Sequence, residues 1–110
     1  MKNLFGVPYS GLSEEAKGAD VHCTSEEEAM ALAAGTWLAG KDATVYMQDS
    51  GLCRCINIVL SLYRPYDIPL PELILSRRST PLHHYFTGAA TESLLRVMNY
   101  PKEKVHSEQD

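Results

Sequence analysis

Two hydroxyl residues precede three consecutive glutamates at Thr24-Ser25-Glu26-Glu27-Glu28. The run is a capping box in either of two registers, Thr24 with Glu27 or Ser25 with Glu28. In both registers Glu26 has no reciprocal capping role. Its carboxylate is left to complement the helix dipole or to meet a ligand. The residues behind it, Ala29-Met30-Ala31-Leu32-Ala33-Ala34-Gly35, are small enough to pack closely on a sheet or on a neighbouring subunit. A carboxyl group pressed into such a dry contact suits proton transfer, because desolvation favours the neutral acid.

Other residues with chemistry are less constrained. Gln48-Asp49-Ser50-Gly51 has the composition of a strand-to-helix connection, where Ser50 caps the helix or the helix start holds an anion. A serine-hydrolase elbow would need glycine at positions 48 and 52, which are Gln48 and Leu52. Cys23, Cys53 and Cys55 with His22 contain no C-x-x-C pair, so their spacing argues against zinc. Cys53 and Cys55 read instead as small buried or helix-surface residues. His83-His84 reads either as an acid–base pair or as the surface of a polar loop, and His106 in the tail has no function argued for it.

The elements that must position these groups follow from the punctuation of the chain. Leu4–Val7 and Asp20–Cys23 read as short strands, the first ended by Pro8. A helix runs from the capping box to Leu38 and stops at Gly40. Ala43–Gln48 is the clearest strand, and Leu52, Ile56, Val59, Leu60 and Tyr63 have helical spacing. Pro65, Pro69 and Pro71 form a rigid connector to a buried strand at Leu73–Leu75, ended by Ser76-Arg77-Arg78-Ser79. A last helix is expected from near Thr91 to Asn99, before Pro101. Residues 102–110 read as a polar, frayed tail. Alternating strands and helices with near-continuous apolar strands predict an α/β fold, a parallel sheet with helices on both faces.

Composition bounds what such a fold can do. The chain has 110 residues, 45% hydrophobic and 22% charged, the balance of one ordinary globular domain. Disorder, collagen-like repeats and a large multidomain enzyme are excluded. The net charge of −4 argues against non-specific nucleic-acid binding, which needs a basic face. Charge is uneven: residues 1–50 hold three lysines against eight acids, and every arginine lies at or after Arg54. Any anion-binding surface is therefore expected from the second half. No apolar run reaches the length of a membrane span or signal peptide, and three unpatterned cysteines suggest reduced thiols, so a cytoplasmic location is expected.

Four stretches, in order, resemble the pyrimidine-binding (PYR) domain of thiamine-diphosphate enzymes, above all sulfopyruvate decarboxylase α subunits and phosphonopyruvate decarboxylase. Phe5-Gly6-Val7-Pro8-Tyr9-Ser10-Gly11-Leu12 resembles the first strand and active-site loop, and Thr24–Gly35 the glutamate-bearing segment. Val45–Leu52 resembles the M-Q-x-S-G-L signature, with Ile56-Asn57 and Leu60-Ser61-Leu62 in step. Tyr66–Pro71 and Leu73–Ser76 resemble the next connector and strand. The likeness covers Leu4 to about Pro101, which gives a PYR-like domain over 1–101 and a tail over 102–110.

The resemblance implies that Glu26 hydrogen-bonds the aminopyrimidine ring of thiamine diphosphate and stabilises the tautomer that removes the thiazolium C2 proton. The thiazolium ring is then the electron sink while a 2-oxo acid loses CO2. It implies that Gln48, Ser50 and Gly51 line the pyrimidine pocket. Ser10 would hydrogen-bond the substrate carboxylate or merely start a turn, and Arg78 would steer a sulfonate or phosphonate or remain solvated. The family holds the diphosphate through Mg²⁺ on a second domain with a G-D-G…N motif. No Gly-Asp-Gly occurs in these 110 residues. The resemblance therefore implies a hetero-oligomer with a separate diphosphate-binding subunit, and a carboxy-lyase subunit inactive without it. Two departures stand out. The family's domain opens with a helix before the first strand, whereas Leu4 lies close to Met1, and its G-L-G-N is here Gly51-Leu52-Cys53-Arg54. These departures imply a shortened domain, either catalytic or kept as a non-catalytic interaction subunit.

Overall fold

The computed structural model describes residues 3–12 and 14–109. Met1, Lys2, Ser13 and Asp110, which include the outer ends of the expected domain and tail, lie outside the described residues. Five strands form one sheet in the order β2-β1-β3-β4-β5, every pair parallel. They are β1 Leu4–Gly6, β2 Val21–His22, β3 Thr44–Gln48, β4 Glu72–Arg77 and β5 Val105–Gln109. The helices are α1 Glu14–Lys17, α2 Glu26–Leu38, α3 Leu52–Ile58 and α4 Leu82–Val97.

Alternation along the strands divides the core into two layers. Val45 and Met47 of β3 sit in register with Leu73 and Leu75 of β4, and all four join the larger cluster beneath α2, α3 and α4. Tyr46 and Ile74, the residues between, face the other way. They pack with Leu4 and with Ala16 of α1, and Tyr9 and Leu12 lie against them. Helices thus cover both faces, as expected, but unequally: three on one face and a four-residue helix on the other. α2 ends where Gly40 adopts φ +84°, and its N–H donates to the Trp37 carbonyl.

The helix expected over Leu52–Tyr63 begins earlier and changes pitch twice. A 3₁₀ turn at Asp49–Gly51 leads into α3, and Val59–Tyr63 is a wide π turn. The Ser61 hydroxyl donates to the Asn57 carbonyl at 2.6 Å, competing with the regular ladder. The wide turn carries the Tyr63 hydroxyl to the Met30 carbonyl of α2 at 2.6 Å, which joins the two helices.

Two expectations need correction. The last helix starts at Leu82 rather than near Thr91, so His83 and His84 occupy its first turn and not a loop. Its first half (Leu82–Ala90) is rich in His, Tyr, Phe, Thr and Gly, which have modest intrinsic helix preference. Packing holds it instead. A Cβ on Gly88 would lie 2.2 Å from the Arg78 carbonyl oxygen, so bare glycine lets the helix rest on the end of β4. The second correction concerns the tail expected to fray. Residues 105–109 form β5, in register with β4 from Leu73↔Val105 to Arg77↔Gln109. Its alternation is masked by polar residues because they find partners: Arg77 Nε donates to Ser107 Oγ at 2.8 Å, and His106 Nε2 meets Glu72 at 2.9 Å.

Gly88→Ala should lower stability by about 1–3 kcal/mol despite alanine's better helix preference, because the added carbon meets backbone. An unchanged urea midpoint would show that the helix does not rest on β4. A second expectation concerns alkali. Burial pushes the Cys55 thiol up from 9.0 to about 12, with Glu26 and Glu27 adding to it, and burial pushes Tyr46 from 10.0 to about 12. Both groups are held neutral by the fold, so their contribution is complete below the unfolded values. It is lost as pH rises from 9 toward 12. Urea unfolding across that range should show stability falling from pH 9 in the wild type. In Cys55→Ala the fall between pH 9 and 10 should be shallower, the remainder coming from Cys23, whose thiol burial also pushes up; an unchanged slope would contradict the assignment.

Candidate active site at the carboxyl edge of the sheet

In a parallel α/β sheet, ligands bind beyond the carboxyl ends of the strands, where the strand order reverses. Here that point lies between β1 and β3. The loop after β1 carries Ser10, the turn after β3 carries Gln48 to Gly51, and α2 begins with Glu26 just after β2. The topology therefore brings the expected residues to one edge.

The capping box takes the Ser25 register. Ser25 Oγ accepts from Glu28 N at 3.1 Å, and the Glu28 carboxylate returns to Thr24 N at 2.9 Å. Glu26 is left free in the first turn. Its side chain keeps only 16% of its exposure and lies directly over Gly51. A Cβ at residue 51 would stand 2.5 Å from Glu26 Cγ and 2.8 Å from Cδ and Oε2. Among the described residues no hydrogen bond reaches this carboxylate; Arg54 Nε lies 3.9 Å from Oε1, on a side chain 67% exposed. A half-buried carboxylate that lacks a protein donor is open to a ligand N–H.

Gln48 is half-buried at the end of β3, in register with Ser76, whose buried Oγ has no partner among the described residues. Ser50 makes no side-chain cap, so its capping role is not realised. Cys55 lies beneath the turn, with Sγ 3.5 Å from the Gly51 carbonyl, while Cys53 is exposed on α3. Ser10 and Arg78, separated by 68 residues, meet through Arg78 Nη1 and the Ser10 carbonyl at 3.2 Å. The hydroxyl of Ser10 is not the group engaged in that contact. Arg78 is half-buried rather than freely solvated.

Asp49 is the residue that sequence reasoning missed. Its carboxylate is 1% exposed and accepts from Arg78 N at 3.3 Å to each oxygen and from Thr91 Oγ1 at 3.0 Å. Its position between Gln48 and Ser50 looked like turn chemistry. Of the other groups, the rings of His83 and His84 lie 4.1 Å apart on α4, and His84 Nδ1 is buried without a partner among the described residues. Among the described residues no group of three His, Cys, Asp or Glu side chains is placed to hold a metal ion, and no helix is long and apolar enough to cross a membrane.

The contact between Glu26 and Gly51 is directly testable. Gly51→Ala should lower stability by about 1–3 kcal/mol, and most of this should return when Glu26→Ala is combined with it. Urea unfolding of the four proteins in the cycle measures the coupling; additive effects would show that the two residues do not touch.

No family model matches the chain. Three curated proteins named sulfopyruvate decarboxylase subunit alpha do. That of Methanothermobacter thermautotrophicus is 39% identical over 85 residues, 74% of this chain and 51% of the relative. That of Methanocaldococcus jannaschii is 38% identical over 78 residues, 71% of this chain and 43% of the relative. That of Methanococcus maripaludis is 40% identical over 55 residues, 50% and 32% of the two chains. The chain is thus similar to sulfopyruvate decarboxylase alpha subunits and spans about half the length, or less, of the relatives it matches.

Proposed function

We propose that this chain is the pyrimidine-side part of a thiamine-diphosphate-dependent 2-oxo acid decarboxylase of the sulfopyruvate or phosphonopyruvate type. The observation that carries the reading is the Glu26 carboxylate, half-buried over Gly51 and without a hydrogen-bond donor among the described residues. The likeness to alpha subunits named for sulfopyruvate decarboxylation supports the same reaction class.

The residues present fit such a cofactor on its pyrimidine side. Glu26 would share a proton with a ring nitrogen, and bare Gly51 leaves room for its side chain. Gln48 and Ser50 flank that position on the turn. When bound, thiamine diphosphate supplies the electron sink for the pair released as CO2 departs. Arg78, tied to the loop of Ser10, offers a cation for the substrate's acidic groups, which include a sulfonate or phosphonate beside the carboxylate. The diphosphate and its Mg²⁺ are assigned to a separate subunit bearing G-D-G…N, so activity requires the pair.

A second reading, an interaction subunit without catalysis, draws on two features. Arg54 stands beside Glu26 as a counter-ion, and α4 exposes Leu82, Tyr85 and Phe86 along one side. Co-expression with a G-D-G…N chain, followed by thiamine diphosphate titration and CO2 release, separates the two. The proposed reading expects decarboxylation that Glu26→Gln lowers about 10²–10⁴-fold. Equal rates for wild type and Glu26→Gln would remove Glu26 from the chemistry, and failure to bind cofactor with the partner would favour the second reading.

A further inference from the structure

On the sheet face opposite α2, one contact spans three strands. Tyr46 of β3 reaches across β1 to β2, where its hydroxyl lies 2.5 Å from His22 Nδ1. Gly6 of β1 makes the crossing possible: a Cβ there would stand 2.2 Å from the Tyr46 carbonyl oxygen and 2.6 Å from its ring. The proton in this contact can be assigned. Tyr46 is fully buried, and its hydroxyl has no other hydrogen-bond partner among the described residues. Were it to accept from an Nδ1–H, its own proton would be buried unpaired. The hydroxyl therefore donates, Nδ1 accepts, and the neutral imidazole carries its proton on Nε2.

His22 is exposed, and its Nε2 has no partner among the described residues. The residue ends β2 at the carboxyl edge. On the same face Tyr9 lies 6.4 Å from Tyr46 between ring centroids, and the next residue, Ser10, carries the contact to Arg78. His22 and Tyr9 thus both meet Tyr46, the Tyr9 hydroxyl lies 3.5 Å from the Glu108 carboxylate, and the residue after Tyr9 meets Arg78. We propose that His22 is a further ligand-binding residue of this edge, its Nε2–H fixed by Tyr46 as a donor to an oxyanion (carboxylate, sulfonate or phosphonate). Tyr46 is then a positioning residue acting through His22. A neutral donor whose tautomer is already set loses nothing to reorganisation when the anion arrives. The ligand class rests on the 2-oxo acid reading, whereas the tautomer does not.

Two substitutions separate binding from structure. In His22→Asn the amide oxygen takes the place of Nδ1, so the bond from Tyr46 is kept and the outer donor is lost. In His22→Gln the amide nitrogen takes the place of Nε2, so the donor is kept and the inner bond is lost. The full-length chain, ¹⁵N-labelled, is titrated with sulfopyruvate to about 10 mM, above the millimolar scale of weak specific binding. In the free wild type the ring ¹⁵N shifts should show Nδ1 unprotonated and Nε2 protonated, and in Tyr46→Phe a mixture of tautomers. The His22 ring signals should move with sulfopyruvate. Affinity should fall about tenfold or more in His22→Asn and stay within about threefold in His22→Gln. An Nδ1–H tautomer, unmoved His22 signals, or equal affinity in wild type and His22→Asn overturns the proposal. A full His22 response in a chain whose assembled form releases no CO2 would sink only the catalytic reading.

Discussion

A buried negative charge has to be surrounded by donors, and at Asp49 that requirement organises the whole carboxyl edge. The carboxylate sits in the turn after β3, takes the N–H of Arg78 from the end of β4, and takes the hydroxyl of Thr91 from the middle of α4. Three elements distant in sequence are thereby fixed relative to one another. The turn that holds Gln48, Ser50 and Gly51 cannot shift without leaving the charge unsatisfied. Gly88 completes the arrangement by letting α4 approach the Arg78 carbonyl. The position of Glu26 depends in turn on this fixed turn, because its side chain rests on Gly51.

How much of this was legible in the sequence depends on the range of the forces involved. The strands around Val45 and Leu73, the stop at Gly40 and the parallel α/β class follow from local pattern, and the structure shows them. Glu26 was legible as a candidate because capping chemistry is local and left it over. Asp49 was not, since its partners lie 29 and 42 residues away. The first half of α4 was missed for the same reason: packing against β4 holds a segment whose own preference for helix is slight. β5 was hidden differently. His106 and Ser107 look like tail residues until Glu72 and Arg77 are placed opposite them.

The two sheet faces bring different groups to the carboxyl edge. One carries α2 and α3 and brings Glu26 over Gly51; the other carries the loop of Tyr9 and Ser10 above Tyr46. The first offers an acceptor in search of a donor, and the second offers donors and a cation. The ion pair of Arg54 with Glu26 involves a largely exposed arginine, and such pairs contribute little. A ligand could displace it at small cost.

The three thiols are sorted by the same packing that builds the edge. Cys23 and Cys55 are buried with their thiols pushed up, whereas Cys53 is exposed in the first turn of α3, next to Arg54. Access to reagents from solvent therefore differs between them by geometry alone. Position 53 becomes a natural attachment point for a fluorophore or spin label, and the unmodified protein already carries it. A label there would sit one residue from the counter-ion of Glu26 and two from Gly51, close enough to report when that edge is filled.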